Sequence, residues 1–335
     1  MQRIKIIDYM KALFITLVIV GHTEVIPTDH IVQPLIIAQA VPGFMILSGY
    51  TFALTSDNKS FREMYGKKRL VQKACKFIIP ALITYMIYLI GWFLRGTYSL
   101  TSQDIVYRFI MGLYGPGGYY CGIMLQFIII APILYVIVKR YHALGVAIVG
   151  IINLLFEIMG RWWSISEQLY RVLIFRYLLL LAWGMYIYLN RDMKINKIKE
   201  ICIWLVGVVY LTLPYFTEYQ YQIFKLWSST SMMAALYMAP MMNIVLKKHI
   251  EYSVKNGIGV TIENIGKASY HIMYVQLLYF VGVKDVLYKV VDLSRYSGFL
   301  EVVFAVVLCV AGGCIYYKVD SCLSSKIYNL GRCEN

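Results

Sequence analysis

Charge is scarce in this chain. Of its 335 residues only 15% are Asp, Glu, Lys or Arg while 60% are hydrophobic, and the mean hydropathy is +0.63. A soluble domain carries about a quarter charged residues, so the deficit excludes an ordinary soluble protein. Paired cysteines are lacking as well. The seven present (Cys75, Cys121, Cys202, Cys309, Cys314, Cys322, Cys333) form no Cys-x-x-Cys pair and no cluster with histidine. Neither a disulfide framework nor a metal site is expected. No small-residue cleavage site follows the N-terminal apolar run, where His22 and Glu24 stand instead. That run is expected to remain as a first span. Internal repeats and low-complexity tracts are missing too. The longest polar stretches, 55–76, 95–118 and 247–267, are short for a soluble domain. Residues 1–335 are therefore expected to form a single membrane domain.

What is present is a series of apolar stretches long enough to cross a bilayer. Ten can be marked, at roughly 9–27, 35–54, 77–94, 119–138, 143–160, 172–189, 201–217, 227–246, 268–283 and 299–317. With the N-terminus inside, inner segments hold 22 Lys and Arg residues and outer segments 8, leaving Lys11 and Arg176 within spans. This bias predicts an all-α, multi-pass bundle of about ten transmembrane helices in the cell membrane, both termini cytoplasmic. The net charge of +14 then records topology, and no nucleic-acid partner is expected.

The first span, "MKALFITLVIVGHTEV", carries two residues that lipid penalises, Lys11 and His22. Eleven residues advance a helix about 16 Å and return within about 20° of the same direction. Lys11 and His22 thus share one face, and Asp8 lies three residues before Lys11 on the same side. Such a stripe must face the bundle interior or a water-filled cavity. Two readings fit it: interfacial anchors with a satisfied core histidine, or a functional site. A neutral His22 suits a general base taking a proton from a hydroxyl, or a proton relay.

Further along, several blocks join this one. "IKIIDYMKALFITLVIVGHT" resembles the opening of the acyltransferase 3 family, in which a basic residue precedes a histidine. "VPGFMILSGYTFAL" is similar to that family's second-span signature, "KKRLVQKACKFIIPALI" to its basic entry into the third span, "GYYCGIMLQFIIIAPIL" to its fourth span, and "IGKASYHIMYVQLLYF" to its late Ser-Tyr motif. The blocks keep family order over most of the chain. Three departures from the pattern stand out. Lys11 stands where arginine is usual, which keeps the charge and loses the bidentate fork. Lys73 and Lys76 replace arginines while Arg69 is retained, and Gln276 replaces a late histidine.

The resemblance implies transfer of an acyl group, usually acetyl from acetyl-CoA, to a hydroxyl of an extracytoplasmic glycan or its lipid-linked precursor. No permanently bound cofactor is implied. His22, with Lys11 and Asp8, becomes the candidate catalytic set. Arg69, Lys73 and Lys76 become candidates for holding the phosphates of CoA, although a basic loop also sets topology or meets anionic lipid. Ser48, Gly49 and Tyr50 are candidate substrate contacts, or small-residue helix packing. Ser269, Tyr270 and Gln276 are pocket lining by resemblance, or ordinary polar packing. Glu157 either pairs with Arg161 or lines an acceptor cleft, in which Trp162, Trp163 and Tyr170 stack on sugar or form an aromatic belt. The acyl carbonyl is attacked either directly or through an acyl relay. A transporter of glycan or lipid-linked sugar is the rival reading, against which the chain shows no repeated broken-helix pattern. A third reading, a membrane partner of the glycan synthesis machinery, leaves the polar stripe without a purpose.

Overall fold

In hydrocarbon the backbone must satisfy its own hydrogen bonds, which favours helices closed on themselves. The computed structural model describes residues 4–23, 25–27, 30–96, 101–217, 224–248, 257–291 and 298–330, and among these no strand forms. The main helices are α1 (Lys5–Gly21), α2 (Ala40–Ser56), α3 (Lys67–Leu94), α4 (Tyr120–Trp162), α5 (Leu178–Leu189), α6 (Lys197–Phe216), α7 (Ala235–Lys248), α8 (Gly257–Leu278) and α9 (Gly298–Leu330). Among the described residues, five helical segments are long and apolar enough to cross a membrane: Val32–Ser56, Phe61–Leu94, Tyr120–Trp162, Lys197–Phe216 and Gly298–Leu323. Their outer faces are apolar. Ile79, Leu82, Met86 and Ile90 of α3 and Val303, Phe304 and Val307 of α9 are exposed, a surface suited to lipid.

Helix α4 covers two of the ten apolar stretches. Its 43 residues are interrupted at His142, with φ 48° and ψ −120°. A Cβ added to Gly145 would stand 2.6 Å from the carbonyl of Ile137. Residues eight apart on a straight helix are separated by about 12 Å, so the chain reverses at His142 into two antiparallel limbs. The stretch marked 172–189 is not one helix either. A short helix, Glu167–Val172, ends at an extended Leu173, and the tight turn Ile174–Tyr177 leads into α5. The Gln126 side chain makes this break tolerable. It donates to the carbonyl of Val172 (2.8 Å) and accepts from the amide of Ile174 (3.1 Å), satisfying groups a continuous helix would have paired.

Three helix pairs position the interior. Gly266 of α8 lies against the backbone of Asp8, and His22 lies 5.9 Å from the Phe280 ring beyond the end of α8. These contacts are fourteen residues apart on each chain segment, so α1 and α8 run parallel and in register. Helix α2 runs antiparallel to α1: Phe14 meets Phe44 at 5.7 Å, and Gly21 lies against Ile37. Gly49 and Gly184 let α2 and α5 touch backbone to backbone, at Leu181 and Ile46 respectively.

Candidate functional site

The registers place several sequence-predicted residues in one layer. Parallel packing on α8 sets Lys11 level with Ser269 and Tyr270, and antiparallel packing on α2 sets it level with Ser48. In this layer the Ser48 hydroxyl donates to the Phe44 carbonyl (2.8 Å), and the Tyr120 hydroxyl lies beside Ser48. The Tyr270 hydroxyl donates to the Phe77 carbonyl (2.9 Å) and lies 2.6 Å from that of Tyr274. Cys121 turns its thiol to the same carbonyl at 3.5 Å. Tyr120 and Tyr274 were not among the sequence candidates. As aromatic residues in apolar stretches, they carried no signal distinguishing them from core.

Gln276 stands apart. It is fully buried, and neither end of its amide has a hydrogen-bond partner among the described residues. By helical rotation it lies about 120° around α8 from Tyr270, on the flank where Ile272 packs against Gly313 of α9. Gly49 and Tyr50 are also occupied with packing: Gly49 against Leu181, and Tyr50, 1% exposed, edge-on to Tyr188 at 5.5 Å.

Cations gather toward the N-terminal end of α3. Arg69 donates to the Ser56 hydroxyl (2.9 Å), and the Lys73 ammonium sits 4.7 Å from the Phe52 ring centre. Lys59, Arg69 and Lys76 all lie close enough to Lys73 to repel it. Such a gathering suits an anionic occupant. Nearby, just beyond α2, Asp57 accepts from Tyr135 (3.0 Å), Tyr188 (3.1 Å) and Lys139 (3.4 Å). Burial pushes its carboxyl up, but those hydrogen bonds and the Lys139 charge outweigh it and hold the pKa below the usual aspartate value.

His22 closes the other end of α1, at about 16 Å of helical rise from Lys11. Its amide donates to Ile19 (3.1 Å) as the helix ends. The facing Phe280 belongs to a π-helical turn, Tyr279–Val283, a feature frequent at functional sites. Arg95 reaches the carbonyls of Val281 and Gly282 in this turn, both at 3.3 Å.

A further cluster surrounds Glu157, whose carboxylate accepts from the Tyr170 hydroxyl (3.0 Å) and the Met232 amide (3.4 Å). Trp162 and Trp163 are 82% and 72% exposed, so neither joins the buried Tyr170. Arg176 does join it. The guanidinium is 1% exposed, 4.5 Å from the Tyr170 ring and 4.8 Å from those of Tyr177 and Trp227. None of its three nitrogens has a hydrogen-bond partner among the described residues. Sequence reasoning noted Arg176 as a charge within a span and gave it no role. The rule that singled out Lys11 applied to it equally.

A bundle of apolar helices with a cationic end and an interior layer of hydroxyls defines a polytopic membrane protein with a polar core. The family model for the acyltransferase domain called acyltransferase 3 matches residues 4–318, nearly the whole chain. The chain belongs to the acyltransferase 3 family. No curated protein and no solved structure matches it.

Proposed function

We propose that the protein is a cell-membrane O-acyltransferase that moves acetyl, or another short acyl group, from acyl-CoA to a hydroxyl of an extracytoplasmic polysaccharide or lipid-linked sugar. In this reading all ten apolar stretches span the membrane and both termini are cytoplasmic. One observation carries it: α1 links the level of the cationic group to His22, with the hydroxyl layer between them. Arg69, Lys73 and Lys76 receive the phosphates of CoA, and the acyl arm runs inward past Lys11 and the Ser48–Tyr270 layer. Asp8 holds Lys11 in place. The acceptor oxygen attacks the thioester carbonyl, a C–O bond forms, the C–S bond breaks, and the hydroxyl proton passes to His22. From His22 the proton reaches the departing thiolate, which leaves as CoA thiol. Ser48, Ser269, Tyr270 and Glu157 serve as substrate contacts, while Gly49 and Tyr50 hold α2 against α5 behind them and Gln276 lies on another flank of α8.

The test is label transfer from acetyl-CoA to a glycan acceptor by purified protein in lipid, with succinyl-CoA run in parallel. Wild type should transfer label and His22→Ala should not; undiminished transfer by His22→Ala would end the assigned role. The broken segment before α5, with its buried Arg176, is the one feature that favours a transporter. Acceptor movement across vesicles without acyl transfer would support that reading instead.

A further inference from the structure

Beside His22 lies a cavity of about 600 Å³ lined by Thr23, Val25, Lys284, Tyr288, Gly298 and Glu301. Its volume falls within the range of about 300–1,000 Å³ typical of ligand sites. Thr23 adjoins His22 in the chain, and the Lys284 ammonium stands 5.9 Å from the ring of Phe280, the residue facing His22. One wall is aromatic: the same ammonium is 5.5 Å from the Tyr288 ring.

The polar groups here are matched in charge and incompletely bonded. Lys284 and Glu301 form an ion pair at 2.9 Å, both side chains largely buried. Oε1 of Glu301 nevertheless receives no hydrogen bond of good geometry, and the neighbouring Tyr279 hydroxyl is likewise without a partner among the described residues. A neutralised pair offers donors and acceptors without a net field. That combination, with an aromatic wall, suits vicinal hydroxyls and the C–H face of a sugar ring. It disfavours a second fixed charge, which would meet an ion pair already satisfied in charge.

We infer that this cavity is the acceptor subsite and that it takes a neutral pyranose in preference to an acidic one. The inference rests on the acyltransferase reading for its meaning and on the cavity alone for its binding. The sugar sits against Tyr288 and the adjacent Lys284–Glu301 pair, and one hydroxyl is directed past Thr23 to His22.

Binding is measured first, without catalysis. Saturation-transfer NMR on the full chain in lipid nanodiscs follows methyl glucopyranoside, methyl N-acetylglucosaminide and methyl glucuronide. Wild type should bind the two neutral glycosides more tightly than the glucuronide. Glu301→Gln leaves Lys284 uncompensated and should shift the preference toward the glucuronide by about fivefold, and Lys284→Gln should shift it the opposite way by a similar factor. Gly298→Trp, which crowds the cavity from beside Val25, should abolish glycoside binding while acetyl-CoA binding persists. Preferences unmoved by both charge variants, or no glycoside binding by wild type, would overturn the inference. Neutral glycoside binding that never leads to acyl transfer would count against the acyltransferase reading and leave the cavity assignment standing.

Discussion

At the scale of single residues, two charges within the spans behave differently, Lys11 half-buried and Arg176 fully buried. Lys11 lies in a layer of hydroxyls, where a charge retains polar company. Exchanging it for arginine should preserve most transfer activity, and Lys11→Met should remove most of it; kcat and KM measured on both variants decide the point. His22→Ala is expected to cost about 10²–10⁴ in kcat, the usual worth of a general base, with acetyl-CoA binding unchanged. Arg176 is packed among aromatic faces beside Glu157. A desolvated cation on aromatic faces is worth about 2 kcal/mol. Arg176→Ala should therefore lower the unfolding midpoint in detergent, and the double variant with Glu157→Gln should recover part of the loss.

At the scale of elements, close helix approach depends on a few positions. A side chain at Gly266 would collide with the Asp8 backbone, so Gly266→Leu should separate α1 from α8. Thermal unfolding should show destabilisation of at least about 1–3 kcal/mol, the usual cost of overpacking. Ile90→Ala on the exposed face of α3 should change little. Asp57 ties the region just beyond α2 to α4 and α5. Its folded pKa is depressed, so its contribution is present above the ordinary aspartate value of about 3.9 and is lost as pH falls through the folded value. Asp57→Asn should be less stable than wild type at neutral pH, and the difference should narrow on acidification.

The helices were legible in the sequence because hydrocarbon permits little else, and every apolar stretch proved largely helical. The shared face of Asp8 and Lys11 was legible from period alone, since α1 is unbroken from Lys5 to Gly21, with His22 following as its C-cap. Other features were not. The break at Leu173 is stabilised by Gln126, 47 residues earlier, a pairing that no local propensity reveals. Gln276 follows the Ser-Tyr motif in sequence, yet helical rotation carries it to another flank of α8. Trp162, Trp163 and Tyr170 read in the sequence as an aromatic belt or a sugar-stacking set; the two tryptophans turn outward, as in a belt, while Tyr170 folds in, which adjacency in sequence does not reveal.

At the scale of the whole molecule, the proposed chemistry requires donor and acceptor to meet from opposite sides. Neutralising Arg69 and Lys73 together should raise the KM for acetyl-CoA by more than tenfold with a smaller effect on kcat, because those residues lie far from His22. Sidedness is the most direct test of the account. Protein inserted in one orientation into sealed vesicles is given labelled acetyl-CoA on one face only and a neutral glycoside on the other. Transfer should occur when acetyl-CoA is on the face bearing Arg69 and Lys73 and the glycoside is on the face bearing His22, and should fail with the two exchanged. Equal transfer in both arrangements would contradict it.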